Sequence, residues 1–153
     1  MSFMREAIKE AERGIKNNHG GPFGAVIVKN NTIIAKAHNE VVKRKDPTAH
    51  AEILAIQRAC KKLKRFNISD CVLYTTCEPC PMCLAAIYWA RIKKYYYGCK
   101  KQDAENIGFI DKHIYDVIRH KAKKNHMKKN NLDRDLCLKV FEKWYTKKNK
   151  VKY

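Results

Sequence analysis

The spacing of apolar residues changes several times along the chain, and each change marks an element. Met4, Ile8, Ala11 and Ile15 recur three or four apart, which predicts an amphipathic helix over residues 3–17. The run from Asn17 to Pro22, NNHGGP, breaks it. Two strand-like runs, AVIVK and TIIAKAH, flank Asn30 and Asn31. Asparagine tolerates positive φ, so this pair predicts a hairpin turn. Asp46, Pro47 and Thr48 read as a helix start, and AHAEILAIQRACKKL continues at helical period. CVLYTT reads as a short buried strand. Pro81 suits the first position of a helix extended by MCLAAIYWARI, and KKYYYGC reads as another strand. KKQDAENIGF is expected as a loop, DKHIYDVIRH as a helix, and LCLKVF as a last strand or short turn. This order predicts a single α/β domain with one mixed sheet of about five strands and helices on both faces.

Composition narrows the class. The 153 residues are enough to bury one core, and 45% are hydrophobic, as in a globular protein. MSFMREAIKE carries charge by its fifth residue and does not look like a secretory signal. The apolar stretch Leu84 to Ala90 is too short to span a bilayer. The expectation is a cytoplasmic protein with no membrane partner. Seven cysteines are many for that compartment, and C-x-x-C clusters in a reducing environment point to metal or redox chemistry rather than disulfides.

The net charge of +18 suggests a polyanion such as RNA. Residues 119–152 hold 13 Lys and Arg against three acidic residues, so this basic C-terminal segment accounts for over half of the total. Its asparagine content favours a compositional bias over a binding patch, which keeps nucleic acid as the less favoured partner.

CEPCPMC, from Cys77 to Cys83, contains two overlapping C-x-x-C pairs. Cys80 and Cys83 lie three apart at a predicted helix start and can aim both sulfurs at one point. Cys77 precedes Pro79 at a strand end and would have to fold back, so it is assigned to packing. A third ligand is available in His50, with Glu52 two residues on. Residues two apart on a helix do not share a face. They serve one ion only if it sits off the helix tip. Two helix N-termini facing one zinc ion are therefore expected, with the fourth position open to water unless Cys99 or His38 closes it. His-x-Glu followed by Pro-Cys-x-x-Cys is the signature of zinc-dependent base deaminases, in which the glutamate is the acid/base and not a ligand.

The chain resembles the cytidine deaminase superfamily and, within it, the bacterial guanine deaminases. The residues that carry the resemblance are GGPFGAVIVK (Gly20 to Lys29), DPTAHAEI (Asp46 to Ile53), CEPCPMC with AIYWARI after it, and Gly-Phe-x-Asp at Gly108 to Asp111. FEKW (Phe141 to Trp144) and the terminal Tyr153 are similar as well. The related tRNA adenosine deaminases usually read Pro-Val-Gly-Ala where Pro22, Phe23, Gly24 and Ala25 stand, usually have Leu in place of Cys77, and lack Tyr88-Trp89.

The resemblance implies a three-layer αβα fold and hydrolysis of guanine to xanthine and ammonia, with guanosine or tRNA adenosine as alternative substrates. It implies zinc on His50, Cys80 and Cys83, and proton transfer by Glu52 assisted by Asp111, which would accept from the base. Phe23 would stack on a purine whose edge Asn39 reads, with His50, Ala51, Trp89 and Phe109 around it. It also implies a homodimer in which residues 119–153 cross between subunits and Tyr153 covers the partner's pocket. Two positions depart from the family pattern: Ile110 stands where a second acidic residue is usual, and His113 where an aromatic residue is expected.

Overall fold

The computed structural model describes residues 2–122 and 127–151. Helix α1 spans Phe3–Lys16, strands β1 and β2 span Gly24–Lys29 and Thr32–His38, and a single helical turn, α2, spans Val41–Arg44. Helix α3 (Ala51–Leu63), strand β3 (Val72–Cys77), helix α4 (Pro81–Trp89) and strand β4 (Lys94–Cys99) follow. Three further helices end the chain: α5 (Lys101–Asn106), α6 (Lys112–Ile118) and α7 (Arg134–Thr146).

The sheet is mixed and has four strands in the order β2-β1-β3-β4, not five. β1 lies antiparallel to β2 and to β3, and β3 parallel to β4. The missing strand is explained at the C-terminus. LCLKVF falls within α7, and most of the expected loop KKQDAENIGF is α5, where Asp103 caps the Lys100 N–H at 2.7 Å. The hairpin forms as expected: Asn30 and Asn31 have φ of 46° and 59°, the two positive values that a tight turn needs to follow the strands' twist.

The three-layer αβα arrangement is present. Alternation along the strands sends Ala25, Ile27 and Leu73 to one face, under α3 and α4, and Val26, Val28 and Tyr74 to the other, under α1. Ile27 and Leu73 have no exposed surface; each such side chain contributes about 1.5–3 kcal/mol. Helix α1 is turned relative to its sequence pattern. Its buried side is Ala7, Ala11 and Gly14 together with Glu6 and Glu10, while Ile8 and Ile15 are exposed. The two carboxylates explain the rotation, because Glu6 pairs with Lys36 and Glu10 with His38, both on β2. No helix among the described residues is long and apolar enough to cross a membrane.

Candidate active site

His50 and Cys80 are the N-cap residues of α3 and α4, each with extended backbone. The turn before α3 sets His50. Asp46 accepts from the Thr48 N–H at 2.8 Å, and the helix begins at Ala51, three residues later than Asp46-Pro47-Thr48 suggests. Pro81 at the first position of α4 fixes the chain direction after Cys80 and leaves Cys83 one turn along, fully buried.

The two helix tips meet. Nδ1 of His50 lies 3.6 Å from Cys80 Sγ and 3.5 Å from Cys83 Sγ. Zinc bonds of about 2.0 Å to nitrogen and about 2.3 Å to sulfur, at the tetrahedral angle, place N and S about 3.6 Å apart. The donor set therefore fits zinc in chemistry and in spacing, and it is the one such cluster among the described residues. The electrostatics suit a cation too. Hydrogen bonds from the Cys83 thiol and from His50 hold Cys80 down to about 4, so that sulfur is a thiolate at neutral pH. The Cys83 thiol, donating to Cys80 and to Glu52 in a buried site, is pushed up.

Among the described residues, no fourth protein ligand closes the cluster. Cys99 is exposed at the end of β4, and His38 is engaged by His19 and Glu10. Cys77 is buried and directs its thiol toward the Lys100 carbonyl, 3.9 Å away, in keeping with a packing role.

Glu52 is the second residue of α3 and is 5% exposed. Its Oε1 accepts from Thr75 Oγ1 at 3.0 Å and its Oε2 faces Cys83 Sγ at 3.5 Å. Burial pushes its carboxyl up, which suits a group that must both take and give a proton. Thr75 was not legible as a site residue. The signal is a hydroxyl in mid-strand on the same buried face as Leu73 and Cys77.

A cavity of about 710 Å³ opens over this cluster. Its walls include Phe23, Asn39, His50, Glu52, Phe109 and Asp111, which the sequence singled out, and Gly20, Gly21, Met82 and Ile114, which it did not. Phe23 and Phe109 meet edge to face, with centroids 4.8 Å apart. A Cβ on Gly21 would come within 2.8 Å of the Phe23 ring and 2.9 Å of the Phe109 ring, so the glycine leaves room for the pair. Asn39 is buried, and its Oδ1 accepts from the N–H groups of Gly21 and Val41 at 3.3 and 3.2 Å. These two donors fix the amide's orientation and direct Nδ2 away from them.

Asp111 stands at the N-cap of α6 but makes no cap hydrogen bond. Its Oδ1 is buried and without a partner among the described residues, and burial pushes its carboxyl up. An acceptor left in this state on a cavity wall is suited to a ligand's donors.

Two of the described residues expected around the purine do not join this cavity. Ala51 is fully buried in the main core. Trp89, 63% exposed, is not on the cavity wall and instead shares a groove with Phe141 and Trp144 of α7. Tyr153 lies outside the described residues.

Residues 1–99 match the cytidine and deoxycytidylate deaminase zinc-binding region. The chain belongs to the cytidine and deoxycytidylate deaminase family. Among its relatives, guanine deaminase of Bacillus subtilis is 45% identical over 152 residues, 99% of this deaminase and 97% of that protein. The crystal structure of that enzyme superposes with a TM-score of 0.93, covering 99% of this chain and 96% of the other. A tRNA-specific adenosine deaminase of Aquifex aeolicus is 47% identical over 96 residues, 63% of each chain. A guanine deaminase structure from Nitrosomonas europaea gives a TM-score of 0.68 at 32% identity, over 71% of this chain and 63% of that one. The donor set that could hold the zinc of this family is His50, Cys80 and Cys83, and it stands beside the glutamate of the His-Ala-Glu motif.

Proposed function

We propose that this deaminase hydrolyses guanine to xanthine and ammonia, with water as the second substrate. The observation that carries this reading is the unpartnered Asp111 oxygen on the cavity wall. A carboxylate there suits guanine, whose N1–H, amino and imidazole N–H groups are donors. It is poorly matched to adenine, which offers an acceptor at N1. Asp111 lies beyond residues 1–99, in the C-terminal third that the chain shares with Bacillus subtilis guanine deaminase.

His50, Cys80 and Cys83 hold zinc, which supplies Lewis-acid activation of water when bound. Glu52, oriented by Thr75, takes a proton from the attacking water, delivers one to the adjoining ring nitrogen and passes another to the departing amine. One water is consumed and one ammonia leaves. Phe23 and Phe109 supply apolar faces for the purine, and Asn39 Nδ2 a donor for its edge.

Adenosine in tRNA is a second reading, supported by the +18 charge and by the Aquifex aeolicus relative. Ammonia release from guanine, guanosine, cytosine and a tRNA anticodon stem-loop separates the readings. Guanine is expected to be turned over and the others left unchanged. Inosine formation in the stem-loop, or no ammonia from guanine with zinc-loaded protein, overturns the proposal.

We infer further that residues 119–153 cross to a second subunit to form a homodimer and that the enzyme works in the reducing cytoplasm. All seven cysteines are free thiols, which suits the compartment. Helix α7 buries none of its residues on its own chain, and Leu136, Val140 and Phe141 are 60%, 61% and 70% exposed. An apolar helix face of this kind needs a partner surface. Sedimentation is expected at twice the 17.9 kDa chain mass, and Phe141→Glu is expected to shift it to the monomer. A monomeric wild-type chain removes this inference.

A further inference from the structure

The chemistry above leaves unused a buried polar cluster around His38, at the end of β2. Glu10 of α1 is 7% exposed and its Oε2 lies 3.0 Å from His38 Nδ1 at the end of β2. The other His38 nitrogen, Nε2, lies 2.8 Å from Nδ1 of His19, with the two rings end to end, 23° from parallel and their centroids 5.1 Å apart. A carboxylate can only accept, so the Nδ1–H of His38 donates to Glu10, while Nε2 pairs with His19 Nδ1 and faces the buried Glu40 carboxylate 3.8 Å away. Helix α1 is shaped for this contact. A Cβ on Gly14 would meet His38 Cδ2 at 3.0 Å. A glycine inside a helix is destabilising relative to alanine, and here its missing Cβ makes room for the His38 ring.

His19 and His38 each adjoin one of two cavity-wall segments. Gly20, Gly21 and Phe23 follow His19; Asn39, Val41 and Val42 follow His38. The segments are tied at several points. The His19 carbonyl accepts from the N–H groups of Val42 and Lys43, both at 3.0 Å. The Asn39 N–H donates to the Phe23 carbonyl at 2.9 Å, and Asn39 Oδ1 spans both walls by accepting from Gly21 and Val41. The imidazole pair adds a side chain–side chain tie between the two segments, and Glu10 anchors it to α1.

We propose that His38 and His19, seated on Glu10, form a positioning relay in which the imidazole contact holds the two walls in register and thereby fixes the Asn39 carboxamide for the purine edge. These are positioning residues; none of them lines the cavity. The assignment of Asn39 to the purine edge rests on the proposed function, whereas the relay's hold on Asn39 does not.

The relay acts on ground-state binding, since Glu52 and the zinc ligands sit on α3 and α4. Four variants test it. Asn at position 38 reproduces the reach of Nδ1 and keeps the Glu10 partner; Gln reproduces the reach of Nε2 and keeps the His19 partner. His19→Phe keeps an aromatic ring and the backbone carbonyl while removing the nitrogen that meets His38. His38→Ala deletes both partners.

His38→Ala, His38→Asn and His19→Phe are expected to raise KM for guanine roughly tenfold with kcat within about threefold of wild type, and His38→Gln to restore KM. In substrate-free protein, the amides of Gly21 and Val41 are expected to exchange with deuterium faster in the same three variants and at the wild-type rate in His38→Gln. A purely structural role predicts the opposite rescue, by Asn, because it satisfies buried Glu10. That pattern, or unchanged exchange at Gly21 and Val41 in His19→Phe, overturns the relay. If wild-type protein releases no ammonia from guanine, the proposed function fails, and the exchange rates still decide the relay.

Discussion

Replacing Glu52 by Gln is expected to lower ammonia release by about 10³-fold or more while leaving one zinc per chain, because general acid–base catalysis by a positioned group contributes about 10²–10⁴-fold and this group transfers several protons in one turnover. The substitution isolates the proton. Gln has the length of Glu, and its carbonyl oxygen can accept the Thr75 hydroxyl that now lies 3.0 Å from Oε1. Glu52 is not a ligand, so the His50, Cys80 and Cys83 donors are untouched. A buried carboxylate with its charge disfavoured by burial is also a cost to the fold, and the neutral amide removes it. The melting temperature of Glu52→Gln is accordingly expected to be no lower than that of wild type. Zinc by elemental analysis, ammonia by coupled assay and a thermal melt make the three readouts. Retention of more than about a tenth of the activity sinks the role assigned to Glu52.

How much of this was legible in the sequence depends on how local each cause is. The hairpin was legible because two asparagines set the φ values that the turn requires, without help from the rest of the chain. The convergence of His50, Cys80 and Cys83 was legible because the chain signals a helix start near His50 and at Pro81, and the side chains at those two tips come together. The face of α1 was misjudged because periodicity weighs Ile8 and Ile15 but cannot see that Glu6 and Glu10 have partners on β2.

The same limit applies to the cavity. Its far wall comes from α5, α6 and the turn between them, where Phe109, Ile110 and Asp111 are brought over the zinc cluster by packing between distant segments. Trp89 shows the reverse error. The resemblance implied a pocket residue, whereas its place at the end of a helix suits packing, and in the structure it shares a groove with α7. The expectation of a last strand in LCLKVF failed because six residues of mixed apolar character fit either period. The 13-residue helix became evident only with its flanks, from Arg134 to Thr146.

Asp111 is where local and distant causes compete, and it gives the second large expected effect. An aspartate one residue before a helix is normally a cap, stabilising the first turn by accepting a backbone N–H. Here it occupies the cap position of α6, accepts no such bond, and leaves Oδ1 buried on the cavity wall. A cap at Asp111 predicts that Asp111→Asn is nearly neutral for stability and for turnover, because Asn caps as well as Asp. A substrate acceptor predicts a different outcome. The amide carries its own N–H donors toward a base that also presents donors, and it lacks the charge that strengthens a hydrogen bond.

Losing a charge-assisted bond in a buried site and facing donor with donor is worth about 3–4 kcal/mol, so kcat/KM for guanine is expected to fall by roughly 10²–10³-fold. Zinc content and melting temperature should stay near wild type, since α6 keeps its other contacts, including the Tyr115 hydroxyl on the Pro79 carbonyl at 3.2 Å. Steady-state kinetics on guanine, with zinc analysis on the same sample, make the comparison. A change in kcat/KM of less than about threefold returns Asp111 to capping and withdraws the carboxylate on which the choice of guanine over adenine depends.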